Sequence, residues 1–102
     1  MPVVLKPRDQ WFKIARQNYL KQNPHVLTKI HANMPPDEAF EFIGISKDEY
    51  IEGEIFKTLQ KEAEVLSIDI SELQIRYAAD TKEEEAEMLE IWRKEIRDAI
   101  GL

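Results

Sequence analysis

Cysteine is absent from this 102-residue sequence, glycine occurs only three times, and no apolar run approaches the roughly 20 residues needed to span a bilayer. The lack of cysteine excludes a disulfide framework and any zinc site built on thiolates, and it suits a reducing compartment. Three glycines cannot build the phosphate cradles of the G-x-x-x-x-G-K or G-x-G-x-x-G type, and neither motif is present. The opening MPVVLKPRDQ offers three consecutive apolar residues before Lys6, too few for a secretory core, so the expected location is cytoplasmic with no membrane partner. Histidine is scarce as well. His25 and His31 stand six residues apart, nearly opposite on a helix, and neither belongs to an H-E-x-x-H or E-x-x-H arrangement. No metal and no cofactor is expected.

What is present is an ordinary soluble composition, 43% hydrophobic and 33% charged. It is enough for one domain over residues 1–102, with 1–8 as an extended N-terminal arm. The net charge of −6 is unevenly spread: residues 1–34 hold six bases and one acid, whereas 35–102 hold eight bases and nineteen acids. Such polarity marks either a basic arm for nucleic acid or membrane or a basic helix lying against acidic ones within the fold.

Helical punctuation runs throughout. Asp9 is placed to cap a helix from Gln10 to about Gln22, with Trp11, Ile14, Ala15, Asn18 and Tyr19 on one side. Asn23 and Pro24 open a short second helix carrying Val26, Leu27 and Ile30, and Pro35 ends it. Pro36-Asp37-Glu38 starts a third, with Ala39, Phe40 and Ile43 inward, which stops at Gly44. Ser46 to Glu49 reads as a capping box ahead of a stripe of Ile51, Ile55, Leu59, Ala63 and Leu66. Two further boxes, Ser71 to Gln74 and Thr81 to Glu84, open a short helix and a long one, the latter carrying Leu89, Trp92, Ile96 and Ile100. Residues 65–78 alternate locally enough to allow a small hairpin as the alternative to helix, turn, helix. The expected fold is all-α, a small single-domain bundle of five or six helices.

Chemistry is thin. No G-x-S-x-G elbow is present, and Ser46 and Ser71 are accounted for as caps. Glu49 with Glu52 could perform acid–base work only in a cleft that shifts a carboxylate, so a small helical enzyme stands as the remoter alternative to a non-enzymatic protein. The turn Gly44-Ile45-Ser46 resembles that of a DNA-reading helix-turn-helix, a corner that would span 36–59. With Gly44 at the motif's ninth position, Phe40 falls where a small residue is usual, and Tyr50 and Gly53 fall where branched apolar residues are usual. The reading helix is also acidic: Lys47 stands against Asp48, Glu49, Glu52 and Glu54. DNA affinity comes largely from neutralising phosphates, so this helix lacks the main contribution. A nucleic-acid role would rest on Arg8, Lys13, Arg16 and Lys47.

The leading expectation is therefore an acidic helical interaction or regulatory module of the inhibitor, immunity or adaptor kind. It would meet a basic protein surface through Asp48, Glu49, Glu52, Glu54, Glu83 and Glu87, with self-association into a homo-oligomer through exposed apolar residues as a second mode. Nucleic acid ranks behind a protein partner.

Overall fold

The computed structural model describes residues 3–101, so the first two residues of the expected arm lie outside the described residues. Six α-helices follow a single 3-10 turn at Arg8–Gln10: α1 (Trp11–Gln22), α2 (Pro24–Asn33), α3 (Asp37–Ile43), α4 (Lys47–Leu66), α5 (Ile70–Ala78) and α6 (Lys82–Ile100). No strand occurs among the described residues, and the hairpin alternative for 65–78 is replaced by the end of α4, a tight turn and α5. No helix is long and apolar enough to cross a membrane among the described residues.

The helix boundaries follow from local chemistry, with two corrections. Gly44 takes a left-handed conformation (φ +76°) and closes α3, and the Glu49 amide donates to the Ser46 hydroxyl at 3.1 Å to open α4. Thr81 likewise accepts from the Glu84 amide at 3.1 Å at the start of α6. Asp9, however, caps nothing: it lies inside the 3-10 turn, and α1 begins after Gln10 without a side-chain cap. Ser71 is not the cap of α5 either. That role belongs to Asp69, whose Oδ1 accepts from the Ser71 amide at 2.8 Å, so the helix begins at Ile70. Asp outranks a competing Ser two residues on because its short carboxylate also suits the N-terminal dipole.

The shortest regular helix but one, α5, organises the molecule. It packs on α1, α4 and α6, while α2 closes over α1 and α4. Two buried clusters result. One joins Tyr19, Val26, Ile30, Ile55, Leu59, Ala63 and Leu73 where α1, α2, α4 and α5 meet. The other joins Trp11, Ala15, Ile75, Ala78, Met88 and Leu89 where α1, α5 and α6 meet. Leu73 and Ile75 face different clusters from one helix, which is why the local alternation of 65–78 does not signal a strand. The bundle is elongated, 49 × 31 × 27 Å. Leu89 is buried and Trp92 half-buried, but Ile96 and Ile100, expected inward, are exposed.

Candidate functional site

The corner between α3 and α4 is built by one aromatic contact. Phe40 is buried and meets the ring of Tyr50 edge to face at 5.5 Å, so the bulky residue that departs from the helix-turn-helix pattern fills the inside of the turn. Tyr50 also donates its hydroxyl to the Asn33 carbonyl at 3.3 Å, tying α4 to the end of α2. With Phe40 turned inward, the helical period drives its neighbours out. Phe42 is 90% exposed, and Ile43, expected inward, is 52% exposed.

Six carboxylates flank these residues along the chain, Asp37, Glu38 and Glu41 of α3 and Asp48, Glu49 and Glu52 of α4, all exposed. Among the described residues none of the six lies within 4 Å of a cationic nitrogen in an ion pair. Lys47 is the single base between residues 37 and 52, a stretch of net charge −5. Asp37, Glu38, Asp48 and Glu49 occupy first turns, where the helix dipole favours them.

The other acidic candidates do not join this patch. Glu54 is half-buried on a different side of α4 and pairs with Lys57 at 3.3 Å. Glu83 and Glu87 are exposed on α6, which packs on α5 rather than on α4. The acidic surface expected to be shared by α4 and α6 is thus two separate surfaces. Spacing within each helix showed that both were acidic, but only the interposed α5 shows that they part.

Of the basic candidates only Arg16 is half-buried, and Arg8, Lys13 and Lys47 are exposed. Arg8 pairs with Glu95 and lies over the Trp11 ring, 5.9 Å from its centroid. Lys13 and Arg16 line a groove of about 280 Å³ whose opposite wall carries Asp48 and Glu52, with Leu20, Ile51 and Ile55 between them. The Nε of Arg16 is buried there without a hydrogen-bond partner. Asp48 and Glu52 precede Ile55 and Leu59 on one stripe of α4, so their side chains lean toward α1 as well as toward water. Lys47 remains exposed at the head of α4. Lys13 and Arg16 therefore share a groove with two of the acids assigned to a different role.

One cluster was not foreseen. Lys6 donates to the Ala78 carbonyl and pairs with Asp80 at 3.0 Å and Glu84 at 3.1 Å, and Glu84 also accepts from the Asp80 amide at 3.1 Å. Burial works against the Lys6 charge, but the hydrogen bonds and charges of the two carboxylates outweigh it and raise its pKa. This fastens the N-terminal arm to the α5–α6 turn. The partners lie more than 70 residues apart, and the only hint in the sequence was a capping-box Glu with a second use. Inside the bundle, the Tyr77 hydroxyl donates to Glu62 at 2.9 Å, and its ring meets Tyr19 edge to face at 5.3 Å. Burial, that hydrogen bond and the Glu62 charge push the Tyr77 phenol up to about 12. A phenol held protonated in this way is a structural donor, the opposite of an activated base.

Among the described residues, no group of three or more His, Cys, Asp or Glu side chains is arranged to hold a metal ion. No curated protein and no solved structure matches the chain. One family does match, over residues 5–102, and the chain belongs to it: the family of unknown function DUF6388.

Proposed function

We propose that this protein is a non-enzymatic interaction module whose α3–α4 corner docks on a basic protein surface. The observation that carries this reading is the pairing of an exposed aromatic with unspent charge. Phe42 stands 90% exposed in a stretch, residues 37–52, whose six carboxylates are all exposed and make no ion pair within 4 Å among the described residues. Burying an aromatic on binding supplies the larger part of the affinity, and hot spots are enriched in such anchors ringed by polar groups. The carboxylates steer a cationic partner to the corner and reject an anionic one. The partner surface this requires is an apolar pocket for Phe42 bordered by Lys or Arg.

The test is site-specific crosslinking from position 42 in cells of the native host, followed by affinity measurement with the captured partner. Phe42→Ala and the triple change Asp48→Lys, Glu49→Lys, Glu52→Lys should each weaken binding at least tenfold, the second mainly through association rate. A partner bound equally well by both variants, or a partner surface without basic character, would overturn the reading. Duplex DNA serves as the competing ligand. Arg8 is engaged with Glu95, and Lys13 and Arg16 face carboxylates, so retention on DNA at moderate salt is not expected. The enzymatic alternative finds little support in Glu49 and Glu52, which are exposed on the first turns of α4 rather than enclosed.

A further inference from the structure

On another side of α4 from the groove, α2 and α4 enclose a cleft of about 370 Å³, within the range of small-molecule sites. Its two walls are single helix faces. His25, Lys29 and Asn33 recur every four residues on α2, and Tyr50, Glu54, Thr58 and Lys61 follow the helical period on α4. Tyr50 closes one end through its hydrogen bond to the Asn33 carbonyl. Buried Tyr19, Val26 and Ile30 form the floor.

The charge of this cleft runs against that of the molecule. Glu54 is paired with Lys57 at 3.3 Å, outside the cleft lining. Lys29 and Lys61 have no carboxylate partner within 4 Å among the described residues. Two unpaired lysines, both exposed, thus line one cleft in a protein of net charge −6, beside His25 and the already paired Glu54. Mutual repulsion of two unpaired cations that share a cleft is relieved by an anion placed between them. The Asn33 side-chain amide donates to the Lys29 carbonyl at 3.1 Å and so stands at the same wall.

We propose that this cleft is a binding site for a small organic anion. A phosphate or carboxylate head sits between Lys29 and Lys61, and a flat apolar body lies on the Val26–Ile30 floor beside Tyr50. The site is separate from the protein-docking corner and stands or falls independently of it.

Titration of the 15N-labelled protein with phenyl phosphate and with benzoate, following backbone amide shifts, tests the site. Either probe should give saturable shifts centred on Lys29, Asn33, Tyr50 and Lys61, and the tighter of the two identifies the head group. Inorganic phosphate should bind the same residues more weakly, for want of the apolar body. Lys29→Gln and Lys61→Gln should each weaken binding of the better probe about tenfold or more, as expected for loss of a charge-assisted hydrogen bond. Lys94→Gln, a surface change on α6, should leave it unchanged. The proposal is overturned if neither probe gives saturable shifts at these residues up to about 10 mM, a ceiling well above the millimolar limit of weak binding. It is equally overturned if neutral benzyl alcohol reproduces the shifts, or if both lysine variants bind as the parent does.

Discussion

Lys6 and Asp48 stand in two regions that treat charge in opposite ways. Where the N-terminal arm meets the α5–α6 turn and α6, charges are used in pairs: Lys6 with Asp80 and Glu84, and Arg8 with Glu95, while Arg93 pairs with Glu72 between α6 and α5. Along the α3–α4 corner stand an exposed Phe42 and six exposed carboxylates that make no ion pair among the described residues. Mean composition cannot distinguish these regions, since both are rich in acids. The difference lies in which charges the fold uses internally and which it leaves available to something else.

The largest expected effect sharpens the contrast between interior and corner. Leu59 is fully buried where α4 meets α1, α2 and α5, so Leu59→Ala should cost about 2–5 kcal/mol in chemical denaturation through lost burial and the cavity left behind. Phe42→Ala removes a larger side chain yet should change stability by no more than about 0.5 kcal/mol, because that ring packs on little. A cost near that of Leu59→Ala would mean that Phe42 is a structural residue and would remove the anchor from the proposed interface.

Next in size is the arm. Lys6→Met keeps the apolar stem but leaves Glu84, whose side chain is 8% exposed, without its cation. About 1–3 kcal/mol should be lost, the cost of an unsatisfied buried polar group. Arg8→Ala, at a solvent-exposed pair, should cost less than about 1 kcal/mol. Alkaline titration probes the same region and its neighbour. Lys6 and Tyr77 both have raised pKa values, so the folded state holds their protons more tightly than the unfolded chain does. Their contributions are therefore complete below the unfolded values, 10.0 for Tyr77 and 10.5 for Lys6, and decline as pH rises; for Tyr77 the loss is spread between 10.0 and about 12. Urea midpoints measured across that window should fall with pH, and the fall should be shallower in Tyr77→Phe.

The sequence made the helices legible because their signals are local. Gly44, Ser46 and Thr81 mark ends that depend on residues no more than four positions away. Within the stripe Ile51, Ile55, Leu59, Ala63 and Leu66, the middle three gave the buried face of α4 for the same reason, Ile51 is half-buried, and Leu66, expected inward, is 50% exposed. What could not be read locally was which helix sits in the middle. A nine-residue α5 without an unusual pattern turned out to separate α4 from α6, and it divided one expected acidic surface into two. Ile96 and Ile100 continue the apolar period of α6, but both are exposed. Amphipathic spacing reports a capacity for burial, and only the packing of the other helices decides whether it is used. The cationic cleft escaped notice because Lys29 and Lys61 are unremarkable within their own helices and acquire meaning only when α2 and α4 face each other.

The smallest effects concern the backbone of the corner itself, and the two glycines there should respond with opposite signs. Gly44 holds φ at +76° with open space around it, so Gly44→Ala meets no clash but places a Cβ on a left-handed residue and should cost about 1 kcal/mol. Gly53 lies within α4, exposed, with nothing within 4 Å of an added Cβ. Its only contribution to the folded state is an excess of unfolded-state freedom, and Gly53→Ala should stabilise by roughly 0.5–1 kcal/mol. Gly53 stands on the same exposed turn as Glu49 and Glu52, which makes it a probe of the interface as well. If Gly53→Ala stabilises the free protein but weakens the captured complex, the partner approaches the backbone of α4 at that turn. If it stabilises both equally, the partner stays on the Phe42 side and the acids of α4 act through charge alone.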